Sequence, residues 1–79
     1  MKTCIATFEG LNISIKAQRA LIAAGIGARI VSIDPSLTRR GCAWGVELGC
    51  EHRQRAVRVL RALGVTPGQF LENAEGRPL

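Results

Sequence analysis

The chain has 79 residues, 47% of them apolar, and a formal charge of +5 from 11 Lys and Arg against 6 Asp and Glu. This is the size of one small domain, with enough apolar content for a core, too much for a disordered chain, and no run long enough for a membrane span. Nine of the cations are arginine, which favours anionic partners and leaves the fold open.

Met1-Lys2-Thr3-Cys4-Ile5 has one positive charge and neither a long apolar region nor a cleavage site. No signal peptide is expected, and the expected location is cytoplasmic. Thr3 to Phe8 is β-branched and apolar and predicts a first strand. Glu9-Gly10-Leu11-Asn12 interrupts it, and Asn12 or Ser14 is suited to cap a helix. Ile13, Ala17, Ala20, Leu21 and Ala24 then recur at helical spacing, with Lys16 and Arg19 on the other side. Gly25 and Gly27 predict the helix end. Ala28 to Ile33 predicts a second strand, stopped by Asp34-Pro35, and a polar loop runs on to Gly41.

Cys42 to Leu48 predicts a third strand with two unlike faces. Cys42, Trp44, Val46 and Leu48 share one, which helices are expected to cover, with Trp44 filling core. Ala43, Gly45 and Glu47 share the other. Glu51 to Leu63 predicts a second helix, closed by Gly64. Gln69-Phe70-Leu71-Glu72 reads as an edge strand. The order βαββαβ predicts an α+β, ferredoxin-like domain over residues 1–72, a four-stranded antiparallel sheet with two helices on one face. Residues 73–79 read as a polar C-terminal tail that frays.

The most distinctive stretch is Arg39-Arg40-Gly41-Cys42-Ala43-Trp44-Gly45. It sets a thiol directly after two guanidinium groups and a glycine, where a polar loop becomes an apolar strand. The thiolate is the reactive form of cysteine, and nearby positive charge stabilises it. Gly41 lets the backbone bend beside the sulfur. Ala43 and Gly45 are small, so another chain or a ligand can approach the strand closely. The plain alternative is that Cys42 is one more small buried hydrophobe. Arg39 and Arg40 then become two solvated arginines. Arg29 is a further candidate for the same basic region.

Three cysteines, Cys4, Cys42 and Cys50, are an odd count with no C-x-x-C spacing. This argues against a disulfide framework and fits a reducing compartment, with Cys4 and Cys50 structural. His52 follows Cys50 by two residues but has no second half of a ligand set, so no metal site is expected. The strand after Cys42 separates it from both Cys50 and His52. No catalytic triad, phosphate-cradling glycine loop or carboxylate pair assembles, and nothing calls for a cofactor. The second helix carries Arg53, Arg55, Arg58 and Arg61 with no acid between Glu51 and Glu72, a candidate partner-binding surface. The alternative is a solvated outer face. Nucleic acid is a weaker partner candidate, because the central strands lack stacking aromatics.

The order of elements, with a cysteine after the central loop, resembles the selenium/sulfur carrier protein-like family of small bacterial domains. The resemblance rests on Ile5-Ala6-Thr7-Phe8, Leu21-Ile22-Ala23-Ala24-Gly25-Ile26, Ala28 to Ile33 leading to Pro35, Gly41-Cys42-Ala43-Trp44-Gly45-Val46-Glu47-Leu48, and Leu60 through Gly64-Val65. It implies a cysteine that carries sulfur or selenium as a persulfide or selenopersulfide. Only Cys42 matches the motif cysteine. Many members have glycine directly after it, where this chain has Ala43 and places Gly41 before. Their serine-rich stretch is Thr38-Arg39-Arg40 here.

Two functions of different classes follow. The first is a carrier or accessory protein of sulfur or selenium metabolism, with Cys42 as the carrier thiol and Arg39, Arg40 and Gly41 stabilising its anion. Its partner is a sulfur donor or acceptor protein with an acidic surface. The second is a non-catalytic, homo-oligomeric interaction or regulatory module. There a second copy packs on the open sheet face, as a homodimer, and Cys42 is structural.

Overall fold

The computed structural model describes residues 2–34, 36, 43–72 and 77–78. Strand β1 is Thr3–Phe8, helix α1 Leu11–Ala23, β2 Ala28–Ser32 and β3 Trp44–Gly49. A single 3-10 turn, Cys50–His52, leads into α2, Arg53–Leu63, followed by β4, Phe70–Glu72, and β5, Arg77–Pro78. The sheet order is β4-β1-β3-β2-β5, with every neighbouring pair antiparallel. The first four strands thus give the ferredoxin-like arrangement. β1 and β2 run parallel to each other with β3 between them, because the α1 crossover leaves a gap that a later strand fills.

Alternation along the strands sorts the apolar residues onto two faces. Ala6, Phe8, Val46 and Leu48 meet Ala17 and Leu21 of α1 and Ala56 and Leu60 of α2 in the main core. Ile5, Val31 and Ile33 form a smaller buried cluster on the opposite face, with Leu71 against it. Among the described residues no helix is long and apolar enough to cross a membrane.

The helix ends follow from backbone chemistry. Gly25 and Gly64 take φ values of 82° and 80°, in the left-handed region that side chains disfavour. There the chain turns back so that the Ile26 N–H donates to the Leu21 carbonyl and the Val65 N–H to the Leu60 carbonyl, at 2.9 and 3.0 Å. At its other end α1 begins before the expected cap. Ser14 is fully buried inside the first turn, and its hydroxyl donates to the Gly10 carbonyl at 3.0 Å. Gly10 is the cap residue, with no side chain to offer.

β5 has no counterpart in the sequence pattern. In place of a fraying tail over its whole length, Ser32 pairs with Arg77 and Val31 with Pro78 on the free edge of β2. Two residues, one of them proline, are too few to show a strand period.

Candidate functional site

β3 joins two ends of the sheet that differ in chemistry. At its first residue the register runs Phe8–Trp44–Ser32, and the Ile33 N–H donates to the Ala43 carbonyl at 2.9 Å. This bond closes the base of the connection that carries the candidate thiol. Arg39, Arg40, Gly41 and Cys42 lie outside the described residues.

The same rim receives the N-terminus of α1, two residues after the end of β1. Among the described residues no side chain caps that helix end, and no acid lies in its first turn. Helix N-termini carry a partial positive charge, so this rim favours an anion. On the loop's other side, the exposed Asp34 carboxylate accepts the Ser36 N–H at 3.0 Å. The backbone and then the side chain of Ser36 hold Asp34 below its usual carboxylate range.

Trp44 is not the core residue that its strand face predicts. It is only partly buried and stands outside the main cluster, where its register partner Phe8 is 2% exposed. The helix-side core ends at Phe8, which leaves Trp44 as a rim residue beside the loop.

Gly45 is also used differently. A Cβ there would stand 2.6 Å from Ile5 Cγ2, 2.9 Å from the Ala6 carbonyl oxygen and 3.5 Å from Ile33 Cδ1. The space that its small size suggests for an approaching chain is filled by Ile5 of the same chain.

The far end of β3 holds a covalent bond. Cys4 and Cys50 form a disulfide with their Cα atoms 5.1 Å apart. This corrects the argument from an odd cysteine count. The register places Thr3 opposite Gly49 and Cys4 opposite Leu48. The turn then carries Cys50 back, its N–H donating to the Lys2 carbonyl at 3.1 Å. The two residues are 46 apart in sequence, so only the strand register reveals the pair. Cys4 is fully buried on the helix face of β1.

Arg29 belongs to this far half and not to the rim beside Ala43. It pairs with Glu47 across the β2–β3 ladder at 2.7 Å. His52 also sits at the far end, 3.6 Å from the Glu51 carboxylate. The length of β3 therefore separates His52 from the rim. Among the described residues no group of three or more His, Cys, Asp or Glu could hold a metal ion.

The four arginines of α2 have different surroundings. Arg55 donates to the Ala24 carbonyl at 2.5 Å, which satisfies the C-terminal end of α1. Arg53 pairs with Glu72 at 3.1 Å and lies over the Phe70 ring. Arg58 and Arg61 are exposed and have no ion-pair partner among the described residues.

Residues 3–72 match the family described as Putative Se/S carrier protein-like, and the chain belongs to that family. No curated protein and no solved structure matches the chain.

Proposed function

We propose that the protein carries sulfur or selenium on Cys42 as a persulfide or selenopersulfide and passes it on by thiol exchange. Membership of the Se/S carrier protein-like family supports the class of function. The observation that carries the choice of residue is the Cys4–Cys50 bond. It engages two of the three cysteines with each other and leaves Cys42 as the only cysteine that can be a thiol.

In the loading step the Cys42 thiolate attacks the outer sulfur of a donor persulfide. The donor's S–S bond breaks, a Cys42–S–SH bond forms, and the donor leaves as a thiolate. In the unloading step an acceptor thiolate attacks the outer sulfur of Cys42–S–SH and regenerates the Cys42 thiolate. Both steps are exchanges and need no external oxidant. Attack on the inner sulfur instead releases hydrosulfide and forms a mixed disulfide. An intramolecular thiol near Cys42 would drive that loss, and Cys4 and Cys50 are bonded to each other at the other end of β3.

Arg39 and Arg40, one glycine before the thiol in sequence, stabilise its anion, and Gly41 leaves room for the added atom. The positive end of α1 acts at the same rim. The test is loading by a low-molecular-weight persulfide, read by intact mass. The native protein should gain one reductant-labile sulfur, and Cys42→Ser should gain none. Equal loading of Cys42→Ser, or no loading of either, sinks the carrier reading and leaves the interaction module.

A further inference from the structure

A helix turns by about 100° per residue, which sorts the side chains of α2 into three directions. Ala56 and Leu60 enter the core. Arg55 reaches across to α1. Arg53, Gln54, Val57, Arg58 and Arg61 share the remaining flank, on the side of β4. A shallow open hollow of about 330 Å³ lies between Arg53, Gln54, Val57 and Arg58. Val57 is the partly buried apolar residue within it.

This flank already binds one carboxylate. Arg53 and Glu72 meet at 3.1 Å with their side chains 47% and 53% exposed, so solvent screens the pair and a competing carboxylate can displace it. Arg58 and Arg61 continue the stripe with no ion-pair partner among the described residues. Arginine forks match carboxylates with two parallel hydrogen bonds, and Val57 offers an apolar contact between them.

We propose that this flank docks an acidic segment of a partner protein, with carboxylates on Arg58 and Arg61 and an apolar side chain on Val57. A nucleic-acid backbone suits the flank less well. Glu72 places a like charge beside the phosphates, and the Phe70 ring is taken by Arg53 and the core and is not free to stack on a base. That the partner is a sulfur donor or acceptor rests on the carrier reading. The docking itself does not involve Cys42.

The test uses the full chain carrying Cys42→Ser, so that its outcome is independent of sulfur transfer. The probe is a labelled synthetic helical peptide with glutamates and an i, i+4 leucine pair, followed by anisotropy at low salt. Binding should weaken about tenfold or more in Arg58→Glu/Arg61→Glu. It should change little in Lys16→Glu/Arg19→Glu, which alters net charge equally on the exposed side of α1. Added salt should weaken it as well. Absent binding, equal loss in both double variants, or tighter binding of a single-stranded RNA of matched charge on the same arginines overturns the proposal. Arg58→Gln/Arg61→Gln repeats the test without introducing new acids.

Discussion

The two ends of β3 are finished in opposite ways. At the Gly49 end the chain folds back, buries Cys4 and ties it to Cys50, while Arg55 satisfies the end of α1 nearby. At the Trp44 end the ladder stops with a partly exposed aromatic residue beside the N-terminus of a helix. One end is finished by bonds within the chain. The other offers a positive helix end that no side chain caps among the described residues. A single strand thereby separates the end closed by the Cys4–Cys50 bond from the rim that the proposal assigns to sulfur transfer.

The largest expected effect breaks this division at the Cys42 end. Cys42→Ser should abolish sulfur loading, while Cys4→Ala/Cys50→Ala should still load, as measured by intact mass under a low-molecular-weight persulfide. Loss of loading only in the double variant would reverse the assignment of the two ends.

The next effect is on stability at the other end. A bond between residues 46 apart restrains the unfolded chain by about 4 kcal/mol. Cys4→Ala/Cys50→Ala, or reduction of the native protein, should therefore lower the melting temperature by tens of degrees, at about 4–8 °C per kcal/mol for a domain of this size. Calorimetry with and without reductant checks this, and Cys42→Ser should melt with the native protein.

Between the two ends lies Gly45. Its missing Cβ makes room for Ile5 and the Ala6 carbonyl, so Gly45→Ala should destabilise by about 1–3 kcal/mol. A urea midpoint measures it. If Gly45 were kept small for an incoming chain instead, the variant would be as stable as the native protein and lose only association.

The smallest effect concerns the start of the rim loop. The Ser36 N–H and side chain favour the Asp34 carboxylate, so its folded pKa lies below its unfolded one. Its contribution is present above the unfolded value and is lost as pH falls through the folded value. Because Asp34 is exposed, the effect on stability should be slight. An NMR titration should place its midpoint below the ordinary aspartate range, and Ser36→Pro, which removes both bonds, should return it there.

Much of the fold was legible in the chain. β1 was expected over Thr3 to Phe8 and forms there, because its apolar and β-branched run is bounded by Glu9-Gly10. Gly25 and Gly64 marked both helix ends because a left-handed turn needs them. The start of α1 was less legible, since a buried Ser14 and a capping Ser14 look alike in sequence. The entry to α2 differs for a similar reason. Residues 50–52 form a tighter turn that the charge and apolar pattern does not separate from the helix. The disulfide was hidden because it depends on the register of two strands and not on cysteine spacing. Trp44 was read from its face alone, and its position as the first paired residue of β3 is what leaves it at the rim. The sequence motif at residues 39–42 singled out Cys42 by its chemistry, and the disulfide elsewhere then left it without a competing cysteine.

The most direct test of the division is alkylation of the native, unreduced protein followed by peptide mapping. The account predicts one modified cysteine, Cys42, with Cys4 and Cys50 recovered as a linked pair of peptides. Modification of Cys4 or Cys50 in the folded protein, or a Cys42 that does not react, would contradict it.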